Sequence, residues 1–145
     1  MIKNEKQYRI TKAQFRRFQD AVAGLAGQPR PSNISPRLWE AQREAARSQM
    51  EESREQVEAY ERLIAGRSKE VVLEAVEDLP KALIRARIAA GMTQEGLARR
   101  LGVKPQQVQR YEATEYESAS FARIRKVVQA LGLSMPNAVR LVRDA

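Results

Sequence analysis

Apolar residues recur at helical spacing along most of the chain. Phe15, Phe18, Val22 and Leu25 fall three or four positions apart, which places them on one face of an α-helix. Thr11-Lys12-Ala13-Gln14 precedes them as a capping-box pattern, so a helix of about 16 residues is predicted from Thr11 until Gly24 and Gly27 weaken and end it. Gln28-Pro29-Arg30-Pro31-Ser32-Asn33 is a loop by composition. Ser35 then supplies an N-cap and Pro36 the first helical position. Nothing interrupts the pattern up to about Ala65, which predicts a second helix roughly 45 Å long.

That second helix carries Arg43, Met50, Val57 and Ile64 at one heptad position and Trp39, Ala46, Ser53 and Tyr60 at the other. Arg, Ser and a small Ala make a weak coiled-coil seam. The expected arrangement is an antiparallel helical hairpin over residues 1–66, with the shorter helix covering only about half of the longer one. An uncovered apolar strip usually marks an interface, so Trp39, Met50, Val57 and Tyr60 are the candidate dimerisation residues. Residues 67–79 read as a connecting segment.

Residues 80–145 change to short helices with tight punctuation. Leu79 to Ala90 forms one helix, stopped by Gly91; Thr93 caps a second, Gln94 to Leu101, which ends at Gly102. Pro105 opens a third through Glu112, and Ser120 to Leu131 forms a last one, closed by Gly132. Only Gly102, Val103 and Lys104 separate the second and third of these, the length of a helix-turn-helix connection. So short a turn needs a small residue where the helices cross, a left-handed backbone at the turn and an apolar anchor in the following helix. Ala98, Gly102 and Val108 supply them in that order, with Leu97 and Leu101 beneath. No alternating run with a hairpin turn occurs, so the fold class is all-α.

Composition removes most chemistry. The 145 residues contain no Cys and no His, which excludes disulfides, thiolate or imidazole zinc sites, a catalytic thiol and a His-based triad. No G-x-x-x-x-G-K loop is present, and no Ser lies three residues before a Lys. The carboxylates Glu51, Glu52, Glu55 and Glu58 read as a solvated, salt-bridged helix face. The expectation is therefore no catalytic residue, no metal, no cofactor and no enzyme. No apolar run approaches the ~20 residues of a membrane span, and the polar start Met1-Ile2-Lys3-Asn4-Glu5-Lys6 lacks a signal-peptide core. A cytoplasmic bacterial protein is expected, without a membrane partner and nucleoid-associated when bound to DNA.

The net charge of +8 is unevenly placed: residues 1–34 carry +5, 35–66 carry −2, 67–79 carry −2 and 80–145 carry +7. Basic blocks suit a polyanion, since each neutralised phosphate releases condensed counterions.

Arg87-Ile88-Ala89-Ala90-Gly91-Met92-Thr93-Gln94-Glu95-Gly96-Leu97-Ala98, then Leu101-Gly102-Val103 and Val108-Gln109-Arg110-Tyr111-Glu112, resemble the phage-repressor (lambda Cro/repressor, XRE) helix-turn-helix family. The resemblance covers roughly residues 80–133. It implies a five-helix domain over residues 80–145 that binds operator DNA as a dimer and represses transcription. After Glu112 the family's tight Asn-Gly turn is replaced by Ala113-Thr114-Glu115-Tyr116-Glu117-Ser118, which resembles the variant in HigA-type antitoxins.

Under that resemblance, the third helix offers Gln106 and Arg110, four apart on one face, for base readout, with Lys104 at a base edge or phosphate and Gln107 more to the side. Gln94 matches a position that bonds a phosphate and props the recognition helix; Arg99 and Arg100 are candidate backbone contacts. Arg87 and Glu112 are placed to form a buried ion pair. The partners implied are double-stranded operator DNA, a second copy of the chain and, in an alternative reading, a toxin protein bound by the N-terminal helices in a toxin–antitoxin or prophage operon. A rival reading gives Lys3, Lys6, Arg9 and Lys12 to nucleic acid, with Tyr8 stacking on a base.

Overall fold

Helix boundaries follow the local capping chemistry. The computed structural model describes residues 1–66, 70–71 and 73–135. Among them are six α-helices and no strand: α1 (Glu5–Gly27), α2 (Pro36–Ile64), α3 (Leu79–Ala89), α4 (Gln94–Leu101), α5 (Pro105–Ala113) and α6 (Phe121–Ala130), with a 3-10 turn at Val76–Asp78. Four of the five helices that the resemblance implies for the C-terminal unit are thus described. Part of the connecting segment (67–69 and 72) and the end of the third segment (136–145) lie outside the described residues.

The first helix begins earlier than Thr11. Asn4 is its N-cap, accepting from the Gln7 backbone N–H at 2.9 Å, and the Gln7 side chain accepts from the Lys3 backbone N–H at 2.8 Å. This reciprocal pair satisfies otherwise orphaned donors and caps a start earlier than Thr11. With 23 residues against 29, α1 runs alongside most of α2, so the uncovered strip is much shorter than a 16-residue helix would leave. Ser35 caps α2 through the Leu38 N–H, and Gly66 follows its end at φ +61°.

The two long helices bury little between themselves. No residue of α1 is buried, and those of α2 are Ser53, Val57 and Tyr60, all in its second half. Val57 and Tyr60 belong to a continuous core with Ile2, Leu83, Ile84, Ile88, Leu97, Ala98, Val108, Tyr116 and Val127. The hairpin is therefore docked on the C-terminal unit through its paired ends, α2 against α3. Val57 and Tyr60 are covered within the chain and leave almost no surface for a second copy, which corrects their assignment as dimerisation residues. Trp39 and Met50 remain half-buried on the part of α2 far from that core.

At the docked end the rings of Tyr8 and Tyr60 stack with centroids 5.0 Å apart. The Tyr8 hydroxyl donates to Glu61 at 2.5 Å, and Lys12 Nζ lies 2.8 Å from the same carboxylate. Hydrogen bonding from Lys12 and Tyr8 holds the Glu61 carboxyl below its usual range and, reciprocally, raises the Lys12 ammonium. These contacts occupy Tyr8 and Lys12 inside the hairpin and remove them from the stacking mode of nucleic-acid binding.

Candidate nucleic-acid interface

The turn between α4 and α5 has the geometry its residues require. Thr93 caps α4 by accepting from the Gly96 N–H at 2.9 Å. Gly102 ends it in the left-handed region at φ +66°, where a Cβ would cost roughly 1–2 kcal/mol. Ala98 and Leu97 are fully covered at the crossing, and Val108 anchors α5 beneath. Pro105 stands at the start of α5 with Lys104 at its N-cap.

One face of α5 is thereby pinned to the core and the other is presented to solvent. Lys104, Gln106, Gln107, Gln109 and Arg110 are all exposed, whereas Val108 and Glu112 are buried. Lys, Gln and Arg on the free side of a short second helix are side chains suited to base edges in a major groove.

Beneath that face lies a charged strut. Arg87 and Glu112 are 3% and 0% exposed, and the guanidinium meets the carboxylate twice, Nε to Oε1 at 2.5 Å and Nη2 to Oε2 at 2.8 Å. Two parallel bonds of this kind fix orientation as well as charge. Arg87 also donates to the Met92 carbonyl at 2.7 Å and to the Lys3 carbonyl at 2.6 Å, and the Gln94 amide donates to Glu112 at 2.7 Å. No buried side-chain N or O lacks a partner among the described residues, the condition under which a buried pair holds an orientation. It ties the end of α5 to α3 and to the start of α4.

Gln94 is consequently half-buried and used internally, bonded to Glu112 and, through its oxygen, to the Asn4 amide at 3.4 Å. Its propping role has a geometric basis here, but this side chain is not free for a phosphate without giving up a partner. Arg99 is exposed. Arg100 donates to the Ala130 carbonyl at 2.9 Å, a C-terminal contact on α6 that engages it within the fold.

Sequence reasoning missed the part played by the N-terminal residues. Ile2 is buried in the core, and Lys3 Nζ donates to the Glu112 carbonyl at 2.6 Å, at the C-terminal end of α5. A cation there meets the negative end of the helix dipole. Lys3 is therefore a support for α5, contrary to its assignment as a nucleic-acid contact. Ile2, at one end of a polar run, was the available signal.

The loop after Glu112 replaces a glycine turn by two strained residues, Glu115 at φ +48° and Tyr116 at φ +61°. Tyr116 is 3% exposed, its ring lies 6.0 Å from that of Tyr111, and its N–H bonds the Tyr111 carbonyl. Burial of the ring offsets the strain and pushes the Tyr116 hydroxyl well above its ordinary range.

Residues 83–136 match the family model described as helix-turn-helix. This region is a helix-turn-helix domain. The domain is of the Cro-like (XRE) kind and implies DNA binding and transcription regulation. Comparison with curated proteins and with solved structures finds no match. The matched stretch takes in most of α3 together with α4, α5 and α6, so the exposed face of α5 lies within the matched domain. The hairpin lies outside it. Among the described residues, no helix is long and apolar enough to cross a membrane.

Proposed function

We propose that the chain is a sequence-specific transcriptional repressor that binds operator DNA as a homodimer and regulates its own toxin–antitoxin or prophage operon. The observation that carries this reading is the free face of α5: Lys104, Gln106 and Arg110 exposed on a helix locked from behind by Val108 and the Arg87–Glu112 pair. Gln106 and Arg110 read bases, Gln the adenine edge and Arg guanine O6 and N7. Lys104 reaches a base edge or phosphate at the start of the helix, with Gln107 to its side and Arg99 at the backbone. Half-buried Trp39 and Met50, on the part of the hairpin away from the core, support association of two copies there.

Selection of bound sequences from a randomised duplex pool tests the reading. A defined motif should emerge, and Gln106→Ala and Arg110→Ala should each lose about 1–3 kcal/mol on the selected duplex and little on scrambled DNA. Absence of any enriched motif, or equal losses on both duplexes, overturns it.

A second reading makes the hairpin a toxin-binding module. It is favoured by the 29-residue length of α2, whose first half buries nothing and leaves Leu38 52% exposed. Mixing with the product of an adjacent small gene, followed by sedimentation, decides between a homodimer and a hetero-complex.

A further inference from the structure

The outward face of α1 is cationic, and it starts at the edge of the helix-turn-helix domain. Lys6, Arg9, Arg16 and Arg17 lie on the side of α1 opposite Tyr8, Phe15, Phe18 and Val22, and all four are exposed. None of them forms an ion pair among the described residues, whereas Lys12 on the flank is taken up by Glu61. Their position relative to the domain is set by bonds already described: Asn4 reaches Gln94, and Lys3 reaches the end of α5. An open cleft of about 750 Å³ joins the two regions, with Lys6 on one wall and Gln94 and Gln109 on the other. Gln109 stands on α5 beside the exposed recognition face.

We propose that Lys6 and Arg9 form a second line of contact with duplex DNA, holding backbone phosphates that flank the base pairs read by α5. The inference rests on the DNA-binding reading above and adds to it a part of the chain outside the matched domain. The signs of the local charges select the contact surface. Glu5 and Glu95 line the cleft itself and repel a phosphate from its interior, so the backbone meets the outer cations. Lys6 and Arg9 are three apart on one face, about 5 Å along the axis. Arg16 and Arg17 lie a further two to three turns from the domain edge and remain outside the contact. Lys and Arg placed in this way bind phosphate without reading sequence.

The test compares two charge-matched double variants of the full chain, Lys6→Ala/Arg9→Ala and Arg16→Ala/Arg17→Ala, on a duplex selected by the wild-type protein and extended at both ends. Each variant removes two positive charges from exposed positions of one helix, and circular dichroism checks that helicity is kept. Each lost phosphate contact should make the plot of log affinity against log salt shallower by about 0.9. Lys6→Ala/Arg9→Ala should show that change, lose hydroxyl-radical protection on the flanks and keep the same selected motif. Arg16→Ala/Arg17→Ala should alter neither slope nor footprint. Equal changes in both variants mean general charge attraction and overturn the proposal, as does a flank footprint that survives Lys6→Ala/Arg9→Ala. Should Lys6→Ala/Arg9→Ala lose helicity, Lys6→Gln/Arg9→Gln removes the same charges with side chains of about the same helix propensity as the originals and is read by the same criteria. Wild-type protein that protects no selected duplex overturns the DNA-binding reading, while protection confined to the core motif overturns this inference alone.

Discussion

The two long helices and the four short ones solve the burial problem differently. α3, with 11 residues, buries Ala82, Leu83, Ile84, Ala86, Arg87 and Ile88, whereas α1 and α2 together bury only Ser53, Val57 and Tyr60. A helix in a hairpin has one neighbour and can hide only one stripe; α3 is surrounded by other elements and hides most of its circumference. Length does not compensate for the missing neighbours. The helix-turn-helix domain has its own core, and the hairpin joins that core through Ile2, Val57 and Tyr60, with Tyr8 and Leu63 packed against it.

The largest expected effect is at the charged strut. Arg87→Ala leaves Glu112 buried without its partner and should cost about 3–5 kcal/mol, measured as a fall in the urea midpoint. An unchanged midpoint would mean that Glu112 regains a partner or water, and that the domain core is looser than its packing indicates.

Next comes a matched pair of truncations. Leu97→Ala in the covered crossing should cost about 2–5 kcal/mol with its cavity. Phe18→Ala, at a half-buried site on α1, removes a larger side chain but should cost clearly less, because part of that ring is already in water. Equal losses in chemical denaturation would break the comparison and give the hairpin a core of its own.

Glycine substitutions sharpen the same contrast at smaller scale. Neither Gly102 nor Gly24 has any atom within 4 Å of an added Cβ, so backbone conformation alone decides. Gly102→Ala should destabilise by about 1–2 kcal/mol because of its left-handed backbone. Gly24→Ala, inside α1, should stabilise by up to about 1 kcal/mol. Thermal melts of both variants check the opposite signs.

The smallest effect near neutral pH, and the one confined to alkali, comes from Tyr116. Burial raises its hydroxyl pKa in the folded chain, with the Glu112 charge adding to the shift. A raised folded value means the associated stability is fully present below the unfolded tyrosine value of about 10 and is lost as pH rises above it. Unfolding followed by tyrosine absorbance should therefore begin above that value, and Tyr116→Phe should delay it relative to a melt at neutral pH.

How much could be read from the chain follows the same division. Ala98, Gly102 and Val108 are bound by a three-residue turn, so their roles were legible from spacing, as was the Arg87–Glu112 pair once the resemblance aligned α3 with α5. The start of α1 was misread because Thr11-Lys12-Ala13-Gln14 and Asn4-Glu5-Lys6-Gln7 are both acceptable caps, and only Ile2 and Lys3 docking on α3 and α5 decides between them. The assignment of Val57 and Tyr60 to a second chain failed for a related reason. Heptad spacing shows which face is apolar but not what covers it, and here the cover comes from Ile2 and the domain core. The buried anchor of α5 at Val108 was legible, but the Gln94 bond to Asn4 crosses 90 positions and has no local signature.

The Lys3 ammonium finds its acceptor 109 residues further along the chain. On a ribosome, the paired helices have emerged long before the residues that anchor their first turn exist. The hairpin can form early from local contacts, but Ile2 and Lys3 stay undocked until α3, α4 and α5 have folded around Val108. Closing so long a loop costs entropy that grows only with the logarithm of its length, yet contacts of such high sequence separation are slow to form. Residues made before the domain they dock on are thus among the last to settle.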